Sequence, residues 1–340
     1  MDFGVFSMFT TRVGATQAQT FREWFDLVQL CEDSGLDTFW LGESHFRPER
    51  AVLASPLVGA SAVAARTRRI GVGLAVQVLP LANPITVAEE AAIVDHISEG
   101  RLIVGVGRSS FLESYQGYNV DYAESRDRFA ESLEIILKAW GDAPFSHTGR
   151  FYRFHDVNLV PKPYQKPHPP VRVAVESVES FALMGRWGFP IFIRHQMPVP
   201  QLQDLLEQYH QARAAAGFSG PNDVILQISG YVAETAERAR SEPEASTMHR
   251  LQQIQRTLNK AADQEAFERL SRLSAVSYDD VLKRVAYGTP EAVVERLQQY
   301  QEELGITGVS LEMNPGGQIP YERVVNAIRL LADKVIPKFK

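Results

Sequence analysis

The stretch Arg68–Ser110, RRIGVGLAVQVLPLANPITVAEEAAIVDHISEGRLIVGVGRSS, decides how the rest of the chain is read. An apolar run, Ile70 to Leu79, closes at Pro80. Asn83-Pro84 then opens an amphipathic segment, with asparagine suited to the N-cap and proline to the first helical position. Gly100, just past the end, is a usual helix stop. A second apolar run, Leu102 to Val106, ends on Gly107-Arg108-Ser109-Ser110. Two apolar strands flanking a helix of this length make a βαβ unit and hence a parallel sheet. An arginine and two serines at the carboxyl end of the second strand sit where such sheets place ligands, and phosphate recognition suits them.

Outward from this unit the alternation continues. Strands are expected at 3–8, 37–42, 70–78, 102–106, 171–175, 189–193, 224–232 and 307–312. Helices are expected at 19–34, 55–66, 84–98, 122–140, 177–187, 199–216, 290–304 and 320–336. Eight strand–helix pairs are the count of a (β/α)8 TIM barrel, a single domain over 1–340. A doubly wound open sheet is the runner-up, but neither GVGLAV nor GVGRSS completes its dinucleotide fingerprint. Barrels of this kind run to roughly 250 residues, so insertions after strands four and seven are expected. They fall near 109–121, 143–170 (a short hairpin, then PKPYQKPHPP) and 234–286, the last long enough to form a lid.

Composition narrows the chemistry. With 340 residues, 45% hydrophobic and a net charge of −6, the chain has ample core and no electrostatic footprint for nucleic acid. The single cysteine, Cys31, lies in a helical pattern and admits no internal disulfide, which fits a reducing cytoplasm. No signal peptide is evident in MDFGVFSMFT. Gln77, Pro80, Asn83 and Pro84 argue against a membrane span over 70–88. No paired histidine or cysteine spacing suggests a metal, and neither a G-x-S-x-G elbow nor a P-loop is present.

Three constellations fall at expected strand ends: Gly42-Glu43-Ser44-His45-Phe46, Gly107-Arg108-Ser109-Ser110 and Glu176-Ser177-Val178-Glu179-Ser180. Arg126, at the start of the fourth helix, lies within reach of the same end. Arginines offer planar, permanently charged donors to a phosphate. Ser177 and Ser180, one helical turn apart at a helix N-terminus, add hydroxyls beside free backbone N–H groups. The competing reading pairs Arg108 and Arg126 with Glu113 or Glu124 at the surface. Phe6, Met8, Trp40, Phe46, Phe111 and Tyr115 are pocket candidates that would serve equally as core.

At these residues the whole chain resembles the bacterial luciferase-like, flavin-dependent monooxygenases. FGVFSMF, FWLGESHF, VLPLANP, SEGRLIVGVGR, PKPYQKPHPP, VAVESVES and GTPEAVVERL match characteristic segments in the family's order. The resemblance implies a (β/α)8 barrel that takes reduced FMN from a separate reductase and uses O2 to oxygenate a small organic substrate. It implies that Arg108, Arg126, Glu176, Ser177 and Ser180 hold the FMN phosphate, with Ala174 and Ser110 close by. Ala75-Val76 aligns with a cis peptide under the flavin ring, and Gly107 with a position where luciferase has a cysteine. Where luciferase has two adjacent histidines, this chain has Ser44 and His45. The luciferase base is the first of them, so Glu43 and His45 become the catalytic candidates, the alternative being a loop histidine that positions Glu43. His195 and the Glu312-Met313-Asn314 segment are further pocket candidates.

Two other functions stay open at this stage. A branch of the family uses the deazaflavin F420 for hydride transfer without oxygen, and a chain lacking the usual base could be a non-catalytic flavin-binding protein. The small residues of ASPLVGASAVAAR (54–66) suit close helix approach, and the family pairs through this helix and the next, so a homodimer is expected.

Overall fold

Eight of the expected strands form one closed parallel sheet. The computed structural model describes residues 1–195, 197–220, 223–256, 258, 261 and 264–340. Its strands are β1 (Asp2–Ser7), β2 (Thr38–Leu41), β3 (Gly71–Leu74), β4 (Gln77–Val78), β5 (Leu102–Gly107), β6 (Phe145–Thr148), β7 (Arg153–Val157), β8 (Val171–Ala174), β9 (Ile191–Arg194), β10 (Val224–Val232), β11 (Ala286–Gly288) and β12 (Gly308–Glu312). The helices are α1 (Gln17–Asp33), α2 (Pro56–Arg66), α3 (Pro84–Ile97), α4 (Leu112–Gly117), α5 (Ser125–Trp140), α6 (Val178–Trp187), α7 (Val199–Ala215), α8 (Ala236–Ser241), α9 (Glu244–Arg256), α10 (Gln264–Ser274), α11 (Tyr278–Leu282), α12 (Pro290–Leu304) and α13 (Tyr321–Leu330).

The barrel runs β1-β2-β3-β5-β8-β9-β10-β12 and closes where β12 pairs with β1, Gly308 opposite Asp2 and Leu311 opposite Val5. Every pairing in it is parallel. The run expected at 70–78 is interrupted: β3 stops at Leu74, the Ala75–Val76 peptide is cis, and β4 resumes against the end of β5. The insertion at 143–170 contains the antiparallel β6–β7 hairpin. That at 109–121 holds α4, and that at 234–286 holds α8, α9, α10 and α11 before β11 pairs with the end of β10. Residues 257, 259–260 and 262–263 of the expected lid lie outside the described residues.

Alternation along each strand sorts the side chains. Phe3, Val5, Phe39, Leu41, Val72, Leu74, Val104, Val106, Ile191 and Ile193 belong to the large core packed under the helices. Phe6, Met8, Trp40, Phe192 and Ile225 form a separate inner cluster, with Ile103, Ala75, Val76 and Ala174 against it. Trp40 fits only because Gly73 has no side chain: a Cβ there would stand 2.1 Å from its ring. At the amino-terminal end of the barrel, Arg172 donates to Asp223 at 2.5 Å and Thr307 Oγ1 donates to the same carboxylate at 2.9 Å. The other end is left for function.

Buried Glu32, on α1, ties that helix to the entry of β3. Its carboxylate accepts the N–H groups of Arg68 and Arg69 at 3.0 Å and of Ile70 at 2.8 Å. Burial alone would raise its pKa, but these three donors and the nearby Arg69 outweigh it and hold the pKa below the ordinary value. A carboxyl depressed in the folded state contributes stability above its unfolded pKa, and that contribution is lost as pH falls through the folded value. We therefore expect Glu32→Gln to lose less stability than the wild type between about pH 5 and pH 3. Urea titrations at both pH values measure this, and equal losses in the two proteins would refute it.

Candidate active site

At the carboxyl end of the barrel a cavity opens over the inner cluster. Phe6, Met8 and Phe192 line it below; Glu43, Ala75, Val76, Gly107, Arg108, Ser110, Ala174, Glu176, Ser177 and Ser180 surround it. The strand ends bring them together, although they come from segments spread along the chain from Phe6 to Phe192. Gly107 is an inward position of β5, where a Cβ would come within 2.7 Å of Val76 Cγ2 and 3.6 Å of Ala174 Cβ. Its bare backbone therefore keeps open a slot between Val76 and Ala174.

One wall of the cavity suits an anion. Arg108 Nη1 donates to Ser125 Oγ at 3.2 Å, and no carboxylate among the described residues pairs with this guanidinium. Tyr115, fully buried, donates its hydroxyl to the Arg108 carbonyl and fixes the backbone there. Lining the same cavity, Ser177 occupies the N-cap of α6 without a side-chain capping bond, and while the Ser180 N–H donates to the Ser177 carbonyl at 3.0 Å, the Val178 and Glu179 N–H groups keep their donor capacity. Ser180 Oγ donates to the Ser177 carbonyl at 2.5 Å. A guanidinium and an uncapped helix start lining one cavity are a donor set for a phosphate dianion. These residues, with the slot at Gly107, fit a flavin mononucleotide.

Arg126 does not join this wall. Its side chain is 60% exposed, and Nη1 lies 2.7 Å from Glu179 of α6, outside the cavity lining. The surface partners expected for the two arginines are engaged elsewhere: Glu113 with Arg47 at 2.8 Å, and Glu124 with Arg128 at 2.8 Å.

Glu43 reaches the cavity, whereas His45 lies behind it. His45 Nε2 is 2.6 Å from Glu43 Oε1 in a pair that is almost wholly buried. Glu43 Oε2 accepts from the Val78 N–H and from Gln77 Nε2, both at 2.9 Å. Tyr118 Oη stands 3.4 Å from the other histidine nitrogen. The Ser44 N–H donates to the Leu53 carbonyl, a loop contact. His195 belongs to a neighbouring cavity, with Nδ1 2.9 Å from Tyr300 Oη and 3.2 Å from the Arg284 carbonyl. Burial lowers its pKa, which favours the neutral ring. Glu312 lines that same cavity and pairs with Arg250. Asn314 instead holds the following turn through the Ile319 N–H and carbonyl at 3.0 Å.

Several lining residues were not singled out from the sequence: Arg50, Arg194, Gln227 and Tyr122. For two of them a signal was available. In IFIR the isoleucines face the helices, so Phe192 and Arg194 must face inward, and the same period places Gln227 inside β10. The Gln227 Nε2 is buried with no hydrogen-bond partner, while its Oε1 accepts from Arg194 at 2.8 Å.

A family model described as luciferase-like monooxygenase matches residues 1–308. The chain belongs to that family. The oxygenase component of the flavin-dependent trigonelline monooxygenase of Acinetobacter baylyi is 24% identical over 335 residues, covering 95% of this chain and 91% of the relative. The monooxygenase RslO1 from Streptomyces bottropensis has a crystal structure with a TM-score of 0.86 and 26% identity, 100% of each chain being covered. The oxygenating constituent of 3,6-diketocamphane monooxygenase from Pseudomonas putida, solved with FMN, has a TM-score of 0.82 at 19% identity over 99% of this chain and 98% of that one. An F420-dependent secondary alcohol dehydrogenase also shares the fold, at a TM-score of 0.77 and 15% identity over 98% of both chains. Membership makes this luciferase-like monooxygenase an oxidoreductase. Among its described residues no cluster of three or more metal-ligating side chains occurs, and no helix is long and apolar enough to cross a membrane.

The Glu43 network generates a stability prediction. Glu43→Leu strands two buried donors and is expected to cost about 1–3 kcal/mol for each group left unpaired. Glu43→Gln, which keeps an acceptor for Val78, should cost less. Chemical denaturation ranks the two variants, and equal stability would show that the network does not hold this loop.

Proposed function

We propose that this luciferase-like monooxygenase is the oxygenase half of a two-component system, taking reduced FMN from a separate reductase and using O2 to oxygenate a small organic substrate. The observation that carries this reading is one cavity lined by an arginine with no carboxylate partner among the described residues and by an uncapped helix start, with an apolar floor around Gly107. A relative named as the oxygenase component of a flavin-dependent monooxygenase supports the reductase partner. When bound, the reduced flavin supplies the activation of O2.

The chain's own residues supply the rest. Arg108, the α6 N–H groups, Ser177, Ser180 and Ser110 bind the phosphate, with Glu176 and Ala174 beside them. Arg126 would join by exchanging Glu179 for the phosphate. Ala75, Val76 and Gly107 seat the ring system. Phe6, Met8 and Phe192 exclude water from the reacting face. Glu43 carries its carboxylate to the cavity edge, and His45 behind it holds or returns a proton through the 2.6 Å contact.

Titration with FMN and with F420, oxidised and reduced, tests the assignment. Reduced FMN should bind in preference, and Arg108→Ala should weaken it by on the order of 10- to 100-fold, the worth of a charge-assisted hydrogen bond. Arg126→Ala should weaken it less. Preference for F420 would replace oxygenation by hydride transfer, and binding of neither would leave no flavin function.

The same proposal includes a homodimer through α2 and α3. These helices pack together, and Val58, Ile93 and Ile97 are 66%, 46% and 39% exposed on them. Light scattering at micromolar concentration should report a dimer that Val58→Arg splits; a wild-type monomer would end the idea.

A further inference from the structure

Next to the candidate flavin cavity lies a second one of about 340 Å³, within the range of small-molecule sites. It is roofed by α9, and its charge is one-sided. Arg12, Arg47, Arg50, Arg250 and Arg256 line it, against Glu49 as its carboxylate. Three of these cations are already neutralised: Arg12 by Glu23 at 2.8 Å, Arg47 by Glu113 at 2.8 Å, and Arg250 by Glu312. Arg256 and Glu49 are exposed to water.

Arg50 is the exception. It borders both cavities and is neither exposed nor paired. Among the described residues no carboxylate lies within ion-pair distance of its guanidinium, and the guanidinium donates no hydrogen bond. The Phe111 ring lies 5.3 Å from it. Partial burial in the barrel mouth, then the neighbouring Arg250 and Arg47, push its pKa down to about 9, with Glu312 pulling the other way. Arg50 is therefore still charged at neutral pH, and it is held there without a counter-ion. A half-buried guanidinium with no carboxylate partner among the described residues, its nitrogens open to the cavity, is available to an anion that enters.

We propose that Arg50 is the anchor for a carboxylate on the organic substrate, so that this luciferase-like monooxygenase acts on an organic acid. The planar fork of a guanidinium matches a carboxylate with two parallel hydrogen bonds, which fixes orientation as well as position. A carboxylate held at Arg50 sits at the boundary between the cavities. The rest of the molecule then extends into the flavin cavity, which Phe6, Met8 and Glu43 also line. This rests on the flavin reading of that cavity for its chemistry, but the binding itself does not need flavin.

The test uses calorimetric titration of the full chain, with and without saturating FMN. The probes are benzoate and hexanoate against their neutral amides, benzamide and hexanamide. The wild type should bind the acids at least about tenfold more tightly than the amides. Arg50→Gln should abolish that preference, and Arg50→Lys, which keeps the charge but not the fork, should retain part of it. FMN affinity, followed separately by fluorescence quenching, should stay within about twofold in both variants. Acids and amides that bind alike, or acids that bind in neither state, would overturn the proposal. So would an Arg50→Gln protein that keeps the preference, or one in which FMN binding falls instead, since Arg50 would then serve the flavin. A wild type that prefers the acids yet binds no FMN would leave the anion site standing and remove the flavin reading.

Discussion

Barrel closure is the constraint on which the rest depends. Once Leu311 of β12 pairs with Val5 of β1, the sheet has no edge, and each strand owns one outer and one inner row of side chains. The outer row is nearly all aliphatic and is covered by helices. Inner space must be filled by what remains: Phe6, Trp40, Phe192 and Ile225 fill the middle, and Gly73 makes room for the indole. Toward the carboxyl ends the inner row turns to Gly107, Arg194, Gln227 and Glu312, which are too small or too polar to close the barrel, and a cavity results.

The charges around this cavity are arranged rather than merely numerous. The chain as a whole is acidic, with a net charge of −6, yet arginines converge on the mouth. Most have a carboxylate at hand: Arg47 with Glu113, Arg250 with Glu312, Arg194 with Glu176 at 3.8 Å. Among the described residues Arg108 and Arg50 do not, and both line one apolar-floored space. Away from bulk water, uncompensated charge acts strongly on what enters. Two such positions in one cavity match the two anionic guests proposed above.

Glu43 shows how a loop acquires a role from its surroundings. Its carboxylate is held by the Val78 N–H, the Gln77 amide and His45, three groups from two strand ends. The histidine is thereby turned away from the cavity and toward Tyr118. A neighbour at Ser44 contributes backbone hydrogen bonding alone. In the proposed oxygenase, proton handling at this site would run through the carboxylate, with the imidazole as its reserve.

Local signals made much of the architecture legible. Asn83 before Pro84, Thr289 before Pro290 and glycine at 305 mark helix ends by backbone hydrogen bonding and left-handed geometry, and these act within a few residues. Strand and helix order, the barrel, and the strand-end clusters at 107–110 and 176–180 followed from such signals. The family resemblance gave the cis peptide at Ala75–Val76 but not the break of 70–78 into two strands. Arg126 was close in sequence to the site but is drawn aside by Glu179, a residue 53 positions away. Arg50 and Arg250 have no local pattern at all. Their meaning depends on which carboxylates the folded chain brings within reach, and on α9 crossing the mouth. The sequence by itself determined the elements, their order and the inward and outward faces of each strand, because hydrophobic period and capping are short-range. Tertiary structure alone decided which charges are paired and which are left facing the cavity, because that balance is set by groups up to two hundred residues apart along the chain, such as Arg50 and Arg250.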